Sequence, residues 1–482
     1  DLSDAAIEEK STTITLAKDS KDPESTLITI GTKSFAKAFD IYELRVRYTE
    51  PESGRERNMT AQIQYLNSDG TIHQNWWEVP DLTTWNRLMP EHGKTEENVL
   101  ITGMVDFDRK PTLYRDLVFN RLAGRDETCG FTNLAYMSNN SGDPWIQKVS
   151  VSLENLKFTA MELDFSQTSV QRPMTGAILS VGSASKLNLD GINLTCNRYC
   201  RGYFAFISMT TGNTADVEMH NITVWDNDQK KGGGSSYTAG LIAYASGPVV
   251  RVTADQITVD MPMNSHVGGI CGRMELYSSF TTDDRVTNLE LTGRTYVAGI
   301  AGYSQSSNSN NDTVIQGKIT GEDRVGGLFG NIYVSGSREH SNWLVKDMTI
   351  TATSGIAGGA LGSTATISSQ NAVVRNCTIE GTTAVGGLQG AMTANAATGV
   401  THSNTQILDC TIRNVGTGSE DPSSMGTGGV IGRFYESYQP HFLGAVVRNC
   451  TIEGKSNVGG YIGAITNAKN DRFENIYIAE DV

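Results

Sequence analysis

Val325-Gly326-Gly327-Leu328-Phe329-Gly330 recurs as Val267-Gly268-Gly269-Ile270-Cys271-Gly272, Val297-Ala298-Gly299-Ile300-Ala301-Gly302 and Val385-Gly386-Gly387-Leu388-Gln389-Gly390. Thr427-Gly428-Gly429-Val430-Ile431-Gly432 and Val458-Gly459-Gly460-Tyr461-Ile462-Gly463 continue the series, with weaker copies at Ala239–Ala243 and Ala357–Gly362. The copies are spaced by roughly thirty residues, and a sustained period of that length is the signature of a solenoid. Gly in such a pair supplies positive φ or close backbone approach where a strand turns a corner. A phosphate-cradling loop would need a following helix and a Lys-Ser/Thr pair, and neither is present.

A second ladder fixes the kind of solenoid. Asn376-Cys377-Thr378-Ile379-Glu380-Gly381 returns as Asn449-Cys450-Thr451-Ile452-Glu453-Gly454 and, shortened, as Asp409-Cys410-Thr411-Ile412. Looser copies begin at Asn155, Asn221, Gln256, Asn288, Asp347 and Asn475. Each alternates apolar and polar residues, as a strand with one buried face does. An Asn, Asp or Gln precedes each strand, where its side chain can satisfy the backbone of a bend. No helical period of comparable length lies between the glycine-rich breaks. The expected fold is therefore all-β: a right-handed parallel β-helix of about eleven coils over residues 99–482, with a small β-rich domain or cap over residues 1–98.

That first segment is denser in charge and has only Gly31, Gly54, Gly70 and Gly93. Alternation predicts strands at Thr12–Leu16, Thr26–Ile30, Ile41–Tyr48 and Thr60–Tyr65, with a turn at Asn67-Ser68-Asp69-Gly70. Asp81-Leu82-Thr83-Thr84-Trp85-Asn86-Arg87-Leu88 predicts one or two helical turns capped by Asp81. A cover at this end protects the open edge of the first coil.

Composition excludes some functions. A net charge of −14 at pH 7 argues against nucleic acid or an anionic membrane surface as the main partner. No apolar run of eighteen residues is present, so no membrane span is expected. The N-terminal Asp1-Leu2-Ser3-Asp4 is neither a signal peptide nor a start methionine and reads as a mature or excised fragment. Seven scattered cysteines do not form a disulfide framework. Cys377, Cys410 and Cys450 read as small buried hydrophobes stacked one coil apart, while Cys196 and Cys200 are close enough in sequence to pair.

After residue 99, the strand Val105-Asp106-Phe107 is followed by Leu122-Ala123-Gly124, then by Asn155-Leu156-Lys157-Phe158, then by the Gly-Gly repeats. This order resembles the non-catalytic, amino-terminal region of the bacterial immunoglobulin A-specific zinc metalloproteases, whose repeats are of the GLUG type. The resemblance covers about residues 99–482. It implies a binding or substrate-positioning region of a secreted or surface-displayed protein, with immunoglobulin A or a glycan as partner. The family's chemistry needs H-E-x-x-H on a helix. None of His73, His92, His220, His266, His340, His402 and His441 is followed by Glu. No metal site, no cofactor and no catalytic residue is expected in this chain, and the enzyme question rests on what else accompanies it. An adhesin or structural stalk is the alternative, and a carbohydrate-active β-helix enzyme the third.

Segments after the Gly-Gly corners vary most, and in-register coils would align them along one edge. They carry Arg273, Tyr277, Tyr303, Tyr333, Arg338 and Trp343, then Arg433, Phe434, Tyr435, Tyr438 and His441. The binding candidates are Arg273, Tyr277, Tyr303, Tyr333, Trp343, Arg433, Tyr435 and Tyr438, since aromatics and Arg on loops suit a recognition face. The competing reading folds several of them back as lids over the coils. Glycoside hydrolysis needs two carboxyls roughly 5–10 Å apart. The candidate pairs are Asp226 with Asp228, Asp283 with Asp284, and Asp106 with Asp108, and acids so close in a loop are more often a turn's solvated charges than a catalytic pair.

Overall fold

The computed structural model describes residues 14–18, 26–30, 42–49, 56–63, 76–112, 114–228, 236–275, 282–305, 309–333, 339–364, 367–393, 401–417, 425–435, 441–466 and 472–479. These divide into two compact units, residues 1–78 with 97–100, and residues 79–96 with 101–482. In the first unit, Ile14–Lys18 pairs antiparallel with Thr26–Ile30, and Tyr42–Thr49 with Glu56–Ile63. The expected turn at Asn67–Gly70 lies outside the described residues.

The second unit is a parallel β-helix of about ten turns. It opens with a helix, Leu82–His92, longer than the one or two turns expected. Asp81 caps it, accepting from the Thr84 amide at 2.7 Å, and this bond, made by the charged form, holds the exposed carboxyl below its ordinary range. The helix buries Trp85, Leu88 and Met89. Trp85 meets Phe131 at 5.1 Å, Trp145 at 6.0 Å and Phe119 at 6.1 Å between ring centroids. These rings fill the interior of the first coils.

The coil from Asn371 illustrates the rest. Strands Val373–Arg375, Thr378–Gly381, Ala384–Gly386 and Gln389–Thr393 each pair in parallel with their equivalents in the adjacent coils. Inward positions form continuous columns. One runs Ile350, Ile379, Ile412, Ile452, and another Cys377, Cys410, Cys450. All seven cysteines are buried and free, Cys196 and Cys200 included.

The polar residues before the strands do more than satisfy a bend. Every one of Asn155, Asn221, Gln256, Asn288, Asp347, Asn376, Asp409, Asn449 and Asn475 has φ between 52° and 57°. This left-handed conformation costs most residues roughly 1–2 kcal/mol, and Asn and Asp tolerate it best. Register separates them into two columns five residues apart, because Asn155 and Asn475 align with Asn311, Asn342, Asn371 and Asn404 rather than with Asn376. In that first column the amides form a ladder: Asn342 donates to Asn311 at 2.8 Å, Asn371 to Asn342 at 2.9 Å, and Asn404 to Asn371 at 3.1 Å.

The motif glycines, by contrast, do not adopt positive φ. Close approach explains them. A Cβ on Gly299 would lie 2.6 Å from the Gly327 carbonyl of the next coil. One on Gly302 would lie 2.7 Å from the Val267 amide, on the other arm of the bend.

Candidate functional site

The Gly-Gly bend has two arms, and each carries a column of aromatic and polar side chains, partly exposed except for the buried Tyr237 and His266. On the first arm Tyr203, Tyr237, His266 and Tyr296 align in successive coils, and Arg324 follows, adjoining Val325 opposite Val297. On the second arm Tyr244, Arg273, Tyr303 and Asn331 align. Tyr244, Arg273 and Tyr303 each lie seven residues after their first-arm partner, so the bend folds the two columns against each other.

Contacts across the bend are continuous. Tyr203 stacks on Tyr244 at 5.3 Å between centroids with an interplanar angle of 11°. Tyr303 meets His266 and Tyr296, each at 5.6 Å. The Arg273 guanidinium lies 5.4 Å from the Tyr237 ring and 5.0 Å from that of Tyr303, and Arg324 lies 5.3 Å from Tyr296. These separations suit cation–π attraction. Tyr203 and Tyr244 pack on buried Ala205, Tyr237 and Ala243. The result is an aromatic ribbon along the bend, crossing successive coils.

Its charged and phenolic groups are paired with one another, although Arg273 Nε is buried without a partner among the described residues. Arg273 donates to the Tyr237 hydroxyl at 2.9 Å and to Glu275 at 2.5 Å, and the Tyr244 hydroxyl also donates to Glu275. Burial, then the hydrogen bond to Glu275, pushes the Tyr244 phenol up to about 12. Burial, with Arg273 nearby, lowers His266 to about 3, so it is a neutral imidazole at physiological pH. Its Nδ1 is 2.8 Å from Ser265 Oγ.

Among the candidates from sequence, Arg273 and Tyr303 belong to this ribbon. Arg433 shares their column but is separated from Tyr303 by Asn331, Ser363 and Ala391. Tyr333 is 50% exposed just beyond the Tyr303 strand. Trp343 is no surface residue: it is 1% exposed, packs on Phe329 and His340, and donates to Ser309 Oγ at 2.9 Å. It sits directly after the left-handed Asn342, which aims it inward, so it fills core. Phe434 is likewise buried. The backbone of Tyr435 ends the strand Ile431–Tyr435, and Tyr277, Arg338 and Tyr438 lie outside the described residues.

Sequence reasoning missed Tyr203, Tyr237, Tyr244, His266 and Tyr296. It searched the loops after the corners, while most of the ribbon lies on the strands flanking them. The available signal was the seven-residue spacing across the motif: Tyr237/Tyr244, His266/Arg273, Tyr296/Tyr303.

The carboxylate pairs are structural. Asp226 is fully buried, 2.5 Å from Arg201, and accepts the Asp228 amide at 3.0 Å. Asp228 lies 3.3 Å from Arg198. Asp106 accepts from the Asp108 amide at 2.8 Å and from Asn133 at 2.9 Å. Asp284 is buried and accepts the Val252 amide at 2.9 Å, while its neighbour Asp283 is exposed. Each pair is engaged in a turn or in the core. Among the described residues, no three His, Cys, Asp or Glu side chains are grouped to hold a metal ion, and no helix is long and apolar enough to cross a membrane. In comparisons with known proteins, no family model, no curated sequence and no solved structure matches this chain.

Proposed function

We propose that this chain is a non-catalytic binding region of a secreted or surface-displayed bacterial protein, similar to the corresponding region of the immunoglobulin A-specific zinc metalloproteases. The observation that supports this most is the ribbon itself, where Tyr and Arg side chains from successive coils are held in contact by backbone register. Tyr and Arg dominate recognition hot spots because they combine large contact area with polar tips. A surface fixed by paired strands loses little conformational entropy on binding.

The test is binding of immunoglobulin A, and of mucin-type glycans as an adhesin control, to the immobilised chain. Tyr303→Ala and Arg273→Ala should each weaken binding at least about tenfold at unchanged melting temperature, within the range of hot-spot truncations. Tyr477→Ala, exposed but outside the ribbon, should leave it unchanged. Absence of binding to either ligand would leave the structural-stalk reading in its place.

A further inference from the structure

We infer that the ribbon takes a linear, electrically neutral polysaccharide lying across successive coils, one sugar unit to each. This rests on the ribbon being the working surface and names its ligand.

Repeat length is the first argument. Paired strands are spaced about 4.7–4.9 Å apart, so ribbon residues recur at that step from Tyr203 to Tyr237, His266 and Tyr296. One pyranose unit of an extended β-linked chain has nearly this length. An extended peptide returns a side chain to the same face only every second residue, about 6.6–6.8 Å, and falls out of step within two coils.

Charge is the second. Arg273 is paired with Glu275, and Arg324 with Asp323 at 2.7 Å, while burial keeps His266 neutral. These charges cancel, on a chain whose net charge is −14. A polyuronate would meet no unmatched cation in these pairs and a repulsive overall field.

Chemistry is the third. Tyr203, Tyr296 and Tyr303 are half-buried, Tyr203 packed on Tyr244 and Tyr296 on His266 and Tyr303. A phenolic hydroxyl both donates and accepts, as sugar hydroxyls do, and the rings offer apolar surface to sugar C–H groups.

The experiment is isothermal titration of the full chain with cellobiose, cellotetraose, cellohexaose, the β-1,4-linked manno-oligosaccharides of the same three lengths, and hexagalacturonate. At least one neutral hexasaccharide should bind. For the cello-series or its manno-counterpart, affinity should rise from two to four units and then level, because four coils carry the aromatic column. Tyr203→Ala and Tyr303→Ala should each weaken binding at least fivefold. Tyr303→Phe, which keeps the ring packing, should weaken it less, and this variant decides the matter if an alanine variant fails to fold. Hexagalacturonate should not bind. No binding of either neutral hexasaccharide, preference for hexagalacturonate, or affinity independent of length would each overturn the inference. Tyr303-dependent binding of enzymatically deglycosylated immunoglobulin A without saccharide binding would remove this inference and keep the binding region. Binding of neither removes both.

Discussion

Asn376-Cys377-Thr378-Ile379-Glu380-Gly381 and Asn449-Cys450-Thr451-Ile452-Glu453-Gly454 are identical hexapeptides in different surroundings. Their backbones agree: Asn376 and Asn449 both have φ of 52°, and both cysteines are buried. Their burial otherwise differs. Ile379 is enclosed by Ile350 and Ile412 on either side, whereas Ile452 pairs with Ile412 and is only half-buried. The contrast continues along each coil, since Val385 is fully buried and its counterpart Val458 is 46% exposed. Phe442 is buried, yet Phe473, stacked on it at 5.0 Å, is 45% exposed. Conformation here is a property of the segment, and burial a property of its neighbours. That is the nearest-neighbour behaviour of a repeat protein.

The sharpest test is a charge in each copy. Ile379→Asp should place an unpaired carboxylate in a closed apolar column, at a cost of several kcal/mol. Urea unfolding should shift far to lower denaturant. Ile452→Asp should cost well under half as much, because its carboxylate can reach water. Equal losses would show that the exposure around Ile452 does not govern its contribution.

A second pair of substitutions removes the contrast. Asn376→Val and Asn449→Val should each cost about 1–2 kcal/mol, the penalty of a left-handed residue, while the Gly variants stay within about 1 kcal/mol of wild type. The Val-minus-Gly difference should match at the two sites, since the demand is on the backbone. A difference confined to Asn376 would mean that packing decides this corner as well.

The smallest effect concerns pH, in the column His340, Ser369, His402, Phe442, Phe473. Burial lowers His340 to about 3 and His402 to about 4. An unfolded histidine titrates near 6.5. Between these values the unfolded chain binds a proton that the native chain refuses, so this contribution is complete above about 6.5 and is lost as pH falls. Asp312 works in the opposite sense. Burial raises it to about 6, so its contribution is present in acid and declines as pH rises from about 4 to 6. His402→Phe, the residue that the next coil carries at this position, should flatten the acid side of the melting-temperature profile. Asp312→Asn should gain relative to wild type as pH rises through that window. Parallel profiles for His402→Phe and wild type would contradict the histidine assignment.

The amino-acid sequence by itself determined the architecture. A thirty-residue period, two-residue alternation and a polar residue at each corner are local signals, and a parallel β-helix repeats its local conditions coil after coil. Even the left-handed corners are visible once the spacing is known, as in Asn371 to Asn376, Asn404 to Asp409 and Gly444 to Asn449. Which glycine property matters was not legible, because close approach involves the Gly327 carbonyl, a coil away from Gly299. Nor was the fate of single side chains: Trp343 and Asp226 looked like surface residues, and only the coils above and below reveal them as core. The ribbon belongs to the same class. Tyr203, Tyr244 and Arg273 are separated along the chain by roughly a repeat each, and hydrogen-bond register together with the bend, not proximity in sequence, makes them one surface.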